Sequence, residues 1–304
     1  MKYSLLLGSC IVTTALFSNN IESYIKPMGN IYGSNGGIQK VGKFKIGIIH
    51  DVVTKDTAYN GSTQIQNDKQ RVSKSISTKY KFKYGFENDI ELSAIVPYIK
   101  SESSDITKSY KNEGLQDIQL MLRYGLLSQK DDHPFFLSVG FGVDLPTAQT
   151  NKKFYDTIIP EKQLGTGSYD YIGHLGFTKL FRVSRIDASI KYQENSLGDN
   201  EYEKGDVFSI NAGYNYAFTK SFDLQLEVDA KFVQKDRTNG IENTASGGDT
   251  IYLTPGFHYR IIKPLSFGMV VPIVIKRDMN YDEVKKVGGL SEDKRLVLKL
   301  EYTF

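Results

Sequence analysis

The side chains with the most chemical potential in this sequence are Lys79, Lys81, Lys83, Asp117, Gln119, Arg123, Asp144, Asp170, His174, Asp223, Glu227, Asp229 and Lys299. Each sits at an alternate position of an extended segment whose intervening residues are mostly apolar, so all are expected on one face, the inner one. Asp117, Gln119, Arg123, Asp144, Asp170 and His174 fall on three consecutive segments. Opposite charges brought together in an enclosed space can fill it as a salt-bridge network. They can equally form a constriction that selects solutes by charge and hydrogen bonding. The lysine row Lys79, Lys81, Lys83 and the acidic row Asp223, Glu227, Asp229 carry opposite signs, and Arg185, Asp187, Lys191, Arg260 and Glu301 add both. Mixed signs argue against strong anion or cation selectivity. Facing rows of opposite charge would set a transverse field across a narrow passage.

Other chemistry finds little support. The four histidines, His50, His133, His174 and His258, show no metal-ligand spacing such as H-x-x-x-H. A G-x-S-x-G nucleophile elbow is missing. A hydrolase working on membrane lipid would need serine and histidine facing lipid, whereas His174 and His258 fall in the inward register. Gly33 to Gly37 lacks a following Gly-Lys-Ser/Thr and reads as a flexible lead-in to the first strand rather than a phosphate loop. The expectation is therefore a protein without catalytic residues, cofactor or metal. The acidic residues Asp199, Glu201, Glu203, Asp278, Asp282 and Glu283 lie between strands, either as solvated charges or as ligands of divalent cations bridging to lipopolysaccharide.

The elements that position these residues follow from period-2 alternation. Val72, Lys74, Ile76, Thr78, Tyr80, Phe82, Tyr84 and Phe86 alternate with Ser73, Ser75, Ser77, Lys79, Lys81, Lys83 and Gly85; Phe222, Leu224, Leu226, Val228, Ala230 and Phe232 alternate with Asp223, Gln225, Glu227, Asp229 and Lys231. One face wants hydrocarbon and the other water. The pattern recurs in twelve segments, near 43–54, 72–86, 90–100, 115–127, 135–145, 168–179, 184–194, 206–218, 222–234, 249–261, 265–276 and 294–304. Most reach the ~9–11 residues needed for a tilted strand to cross a bilayer. Short turns (Glu87–Asp89, Ser128–Pro134, Leu180–Val183, Thr219–Ser221, Ile262–Pro264) alternate with longer polar loops near 55–71, 101–114, 146–167, 195–205, 235–248 and 277–293. This is the asymmetry of periplasmic turns and extracellular loops. The fold class implied is all-β: a transmembrane antiparallel up-and-down β-barrel of about twelve strands. Tyr80, Tyr84, Tyr98, Tyr124, Tyr192, Tyr214, Tyr216, Tyr259 and Tyr302 take the outward register near strand ends, as an aromatic girdle does.

Composition agrees. The 304 residues include 20 Tyr and 17 Phe but no Trp, and the formal net charge of +3 gives no reason to expect a nucleic-acid partner. Lys2 followed by the apolar run Leu5 to Phe17 reads as a secretory signal peptide over residues 1–22, cut between Ser18 and Ser23. Cys10, in Leu7-Gly8-Ser9-Cys10, resembles a lipoprotein box, but the apolar run continues beyond it. Residues 23–42 follow as a flexible N-terminal segment, able to stay disordered or to fold inward and occlude the lumen, and 43–304 form the barrel. Beyond the leader, no apolar stretch of 18 residues offers a transmembrane helix. Leu298-x-Leu300-x-Tyr302-x-Phe304 ends on an aromatic carboxy-terminus. It resembles the signal by which outer-membrane barrels engage the barrel-assembly machinery.

Ala94-Ile95-Val96-Pro97-Tyr98, Gly114-Leu115-Gln116-Asp117-Ile118 leading to Arg123-Tyr124, Asp144-Leu145-Pro146-Thr147, and Leu164-Gly165-Thr166-Gly167-Ser168-Tyr169-Asp170 come in an order and spacing similar to the MetA-pathway of phenol degradation family of outer-membrane proteins. Gln116 and Ala148 depart from it where the family tends to have Gly. The resemblance implies a bacterial outer-membrane transporter for small, aromatic or hydrophobic compounds. The partners expected are outer-membrane lipid, lipopolysaccharide and a small-molecule solute. A structural or adhesive barrel with an occluded lumen is the alternative.

Overall fold

A computed structural model describes residues 27–129, 133–292 and 294–304. The expected signal peptide lies outside these residues. Spanning strands are β1 (Phe44–Lys55), β2 (Val72–Gly85), β3 (Ile90–Ser104), β4 (Ile118–Leu127), β5 (Phe136–Leu145), β6 (Asp170–Leu180), β7 (Ser184–Glu194), β8 (Val207–Ala217), β9 (Phe222–Val233), β10 (Gly248–Ile262), β11 (Leu265–Val270), β12 (Ile273–Met279) and β13 (Lys294–Thr303). Each pairs antiparallel with its sequence neighbours around the ring, except that β12 pairs with β10 alone and β11 pairs with β13, and β1 closes the ring on β13 from Lys45↔Thr303 to Thr54↔Lys294. Closure pairs the sheet edges that lipid would otherwise meet, except beside β12, which is laddered to β10 on one side only. β11 and β12 make one crossing, so the barrel has twelve crossings.

That eleventh crossing is expected as a continuous strand but breaks at Val271 and Pro272. Proline has no N–H to give the ladder. Below the break β11 pairs with β10 and with β13 as far as Val270↔Val297; above it β12 pairs with β10. The fourth crossing begins at Ile118, leaving Gln116 and Asp117 outside it. The loop expected at 101–114 is instead a hairpin, because β3 runs on to Ser104 and pairs with Ser109–Leu115. The first short turn places Asn88 and Asp89 at φ 57° and 54°. Two consecutive positive φ values characterise a type I′ hairpin turn, and Asn and Asp tolerate them.

Residues opposite one another in the ladder share a face, so the pairing assigns the register. Ile48, Tyr80, Val96 and Leu300 point outward, while Lys79, Lys81, Arg123, Asp144 and Lys191 point inward. Exposed apolar side chains such as Phe141, Leu175, Leu224, Leu226 and Leu300 make up the lipid-facing band. Tyr84, Phe86, Tyr124, Tyr216, Phe218, Tyr259, Tyr302 and Phe304 ring the rim that carries the short turns. The terminal Phe304 donates its N–H to Phe44 O at 2.8 Å, and its ring meets those of Tyr302 and Phe44 at 4.7 and 5.9 Å. On the outer face His50 Nδ1 lies 3.0 Å from Thr78 Oγ1, so these two polar groups satisfy each other on a lipid-facing wall.

Candidate functional site

The interior is a polar wall packed around a polar arch. Residues 28–39 rise from the rim near β9, turn in mid-lumen and return to the rim beside β2. Wall carboxylates hold the backbone along the way. Met28 N–H donates to Asp223 at 2.7 Å and Asn30 N–H to Asp187 at 3.3 Å. Ile31 and Tyr32 N–H donate to Glu227 Oε1, both at 3.1 Å, and Gly33 N–H donates to Glu227 Oε2 at 2.7 Å. Gly36 N–H then reaches Thr178 Oγ1 at 2.9 Å, and Gln39 N–H reaches Glu91 Oε2 at 2.9 Å. Three successive N–H groups on one carboxylate form an anion nest, in which the anion belongs to the wall and the nest to the arch.

Side chains complete the clasp. Asn30 Nδ2 donates to Asn211, Asn215 Nδ2 donates to Asn30 Oδ1 at 2.9 Å, and Asn211 Nδ2 also reaches Glu227 at 2.9 Å. Arg123 donates to Asn35 O, to Ser138 Oγ at 2.7 Å and to Glu91 at 3.2 Å. Ile31 packs on Val270 and Val297 in a small apolar cluster. At the apex, the Tyr32 ring carries the Arg295 guanidinium 4.7 Å from its centroid, and Arg295 is paired with Asp51 at 2.7 Å. Close backbone approach explains one glycine pair: a Cβ on Gly36 would stand 2.7 Å from Phe136 O and 2.8 Å from Gly176 O.

The arch divides the free space. Above it lies a cavity of about 500 Å³, lined by Lys79, Gln119, Asp144, Asp170, Lys191 and loop residues that include Asp117, Leu164 and Tyr202. Below it a cavity of about 240 Å³ is lined by the arch with Lys83, Glu91, Arg185, Lys299 and Glu301. Tyr32, Ile49 and Lys81 border both. The outer chamber is roofed by the loop around Pro160–Lys162, tied to the third-strand hairpin by Asn112 Nδ2 to Lys162 O at 2.9 Å and Lys162 Nζ to Ser103 Oγ at 3.0 Å.

The residues singled out in the sequence thus fall into three groups. Lys79, Lys81, Asp117, Gln119, Asp144 and Asp170 border the outer chamber, and Lys81, Lys83 and Lys299 the inner one. Asp223 and Glu227 are fully buried, 0% exposed, under the arch that they hold; Arg123, His174 and Asp229 are also buried in the wall. Asp117 is on a loop, not a strand, and its Oδ1 accepts the N–H groups of Thr147 and Ala148, each at 3.0 Å. Glu91, which takes Lys83 at 2.9 Å as well as Arg123 and Gln39, was missed, as were Tyr32, Ile49, Asp51 and Arg295. Alternation could have flagged Glu91, Asp51 and Arg295, since each is a charge on the inner face of a strand. Tyr32 precedes the first strand and carries no such signal. Among the loop acids, Asp199 accepts Thr150 Oγ1 at 2.6 Å and Glu203 pairs with Arg237 at 3.3 Å. Asp282 accepts Lys285 N–H at 2.8 Å, and these bonds, with that from Thr244, hold its carboxyl at about 2, below the usual 3.8. Among the described residues no group of three or more His, Cys, Asp or Glu is disposed to hold a metal ion.

Comparison with known proteins agrees with this architecture. No curated protein matches the chain. Among solved structures, the COG4313 outer membrane channel from Pseudomonas putida F1 superposes with a TM-score of 0.72 at 13% identity, covering 90% of this chain and 100% of that one. The KdgM porin (TM-score 0.44, 12% identity, 86% and 99% covered) and the CymD monoaromatic hydrocarbon channel (0.46, 10%, 87% and 88%) are more distant barrels. The family described as "Putative MetA-pathway of phenol degradation" matches residues 50–271. With its closed twelve-crossing barrel and lipid-facing apolar band, the chain belongs to this family of bacterial outer-membrane proteins.

Proposed function

We propose that this protein is a passive outer-membrane channel for small solutes, aromatic and hydrophobic ones included, whose passage is set by the N-terminal arch. The observation that carries this reading is the pair of cavities meeting at Tyr32, Ile49 and Lys81. Chambers on both sides of a thin partition lie along one path, and a small displacement of the apex joins them. Lys81, a flexible cation, and Ile49, an apolar wall, meet there, so the partition can pass a molecule with both polar and apolar parts. The solute would enter among the loops and leave at the rim of short turns. Outer-membrane lipid and lipopolysaccharide surround the barrel. The aromatic carboxy-terminus at Phe304 is the feature through which the assembly machinery would recognise it.

Single-channel current in planar bilayers tests the proposal, first in salt and then with phenol added. Discrete openings that phenol blocks support it. A silent bilayer, with folding verified by heat-modifiable gel mobility, favours an occluded structural barrel. The hydrogen bonds along residues 28–39 are the observation on that side.

A further inference from the structure

The outer chamber has an imbalance of partners. Three of its four acids, Asp117, Asp144 and Asp170, are occupied by neutral donors, and the fourth, Glu161, stands on the roofing loop. Asp144 accepts Gln119 at 2.8 Å and Gln193 at 3.1 Å, and Asp170 accepts Ser168 Oγ at 2.7 Å and Ser196 N–H at 3.0 Å. Asp117 accepts two backbone N–H groups, as described above. The lysines are not matched in the same way. Lys83 and Lys299, in the inner chamber, have carboxylate partners at 2.9 and 3.1 Å, whereas Lys79, Lys81 and Lys191 form no salt bridge among the described residues. All three border the outer chamber. Lys79 and Lys81 stand on β2, and Lys191 stands on β7 at the opposite wall. Apolar neighbours flank the first two in the ladder: Ile49 and Pro97 beside Lys79, and Ile95 beside Lys81.

An ammonium enclosed away from bulk water gains most from a charge-assisted hydrogen bond to an anion. Three of them around a chamber of about 500 Å³ leave room for more than an inorganic ion. The flanking Ile49, Ile95 and Pro97 offer an apolar surface to the rest of the molecule. We propose that the outer chamber is a binding site for a small organic carboxylate with an apolar body, its carboxylate held by Lys79, Lys81 and Lys191. This deepens the channel reading, on which it rests, by giving the solute a sign of charge. Asp117, Asp144 and Asp170 do not oppose it, because their oxygens are directed to the glutamines, serines and backbone that shape the wall.

The test measures binding rather than passage, so that its failure is separate from failure of the channel reading, which bilayer currents judge. Benzoate, acetate and benzyl alcohol are titrated calorimetrically into the folded protein in detergent at neutral pH. Benzoate is expected to bind at least about tenfold more tightly than the other two, the scale of one charge-assisted hydrogen bond or of a buried ring face. K79Q/K81Q/K191Q, shown to fold by heat-modifiable mobility, is expected to lose the preference for benzoate over benzyl alcohol. K191Q alone, the least disruptive variant, is expected to weaken benzoate by several-fold and to leave benzyl alcohol unchanged. Benzyl alcohol binding as tightly as benzoate, acetate binding as tightly as benzoate, or benzoate binding equally to wild type and the folded triple variant each overturns the assignment.

Discussion

Glu227 is the residue on which the arch depends most, and its removal gives a graded test. Its carboxylate receives the N–H groups of Ile31, Tyr32 and Gly33 at 3.1, 3.1 and 2.7 Å. Glu227→Ala leaves three backbone donors without an acceptor in the lumen. With a net contribution of about 1 kcal/mol per hydrogen bond, and with water filling the vacated volume, the loss is on the order of 3 kcal/mol. That shifts the ratio of docked to undocked arch by about two orders of magnitude. Glu227→Gln keeps the volume but has one acceptor oxygen, and if that serves Ile31 and Tyr32 its NH₂ is set against the Gly33 N–H. Its effect is expected to lie between those of wild type and alanine. The assay is single-channel recording beside a deletion of residues 27–40, which sets the upper limit. The expected order of mean current is wild type, Glu227→Gln, Glu227→Ala, deletion. If the deletion conducts far more than wild type while Glu227→Ala does not, the carboxylate is not the clasp. If the deletion conducts no more than wild type, the arch does not lie in the path, and the partition argument fails with it.

Other consequences follow from single contacts. Arg123→Met removes a guanidinium 3.2 Å from the buried Glu91. Lys83 remains at 2.9 Å, so the cost is expected at about 2–3 kcal/mol, below the ~3–5 kcal/mol of a wholly abandoned buried charge, read as a lower urea midpoint of the folded gel band. Gly36→Val would force a side chain against Phe136 O and the Gly176 backbone; it is expected to raise mean current toward the level of the deletion, with the barrel still heat-modifiable. Leu226, 47% exposed on the lipid-facing side of β9, should tolerate Met, whereas Leu226→Arg costs about 2–4 kcal/mol near the bilayer midplane, measured by the same urea midpoint. Asp282 has a folded value of about 2 against an ordinary 3.8. Its contribution to the loop hairpin is therefore complete above about pH 4 and is lost as pH falls through 2. Pepsin cleavage of that loop should rise between pH 4 and 2 in wild type, and Asp282→Asn should be cleaved at pH 4 already.

The barrel was legible because lipid imposes a strict rule on it. Leu224, Leu226 and Val228 must face outward, and that fixes Gln225 and Glu227 inward without any knowledge of tertiary contacts. The same rule fails wherever a residue leaves the ladder. Asp117 reads as an inward strand residue by parity, yet the chain leaves the ladder before it and its carboxylate caps the turn at Thr147 and Ala148. Pro272 interrupts a crossing that alternation alone runs through. The arch was less legible still. Residues 28–39 are bound through backbone N–H groups, which every non-proline residue carries, so no side-chain pattern announces the contact. The signs that do exist are indirect: glycines at Gly33, Gly36 and Gly37, and an excess of inward acids on β9 with no matching row of bases on its neighbours.

That excess also bears on how the lumen works. Asp223, Glu227 and Asp229 face the inside of β9, and Asp187 faces the inside of β7, two strands away. As a filter, four acids would draw cations through the centre of the barrel. The structure uses three of them otherwise: Asp223, Asp187 and Glu227 accept N–H groups of residues 28–33, and none is accessible to solute. Lys79, Lys81 and Lys191, by contrast, border open space. The near-balance of the sequence is thus divided by place, with acidic groups holding the arch and the chamber wall and Lys79, Lys81 and Lys191 left facing the outer chamber. A lumen that looks mixed in sign when its inward residues are counted therefore presents mainly cations to whatever enters from outside. Its selectivity in a salt gradient should lean toward anions while the arch is docked, and should weaken once deletion of residues 27–40 uncovers Asp187, Asp223 and Glu227.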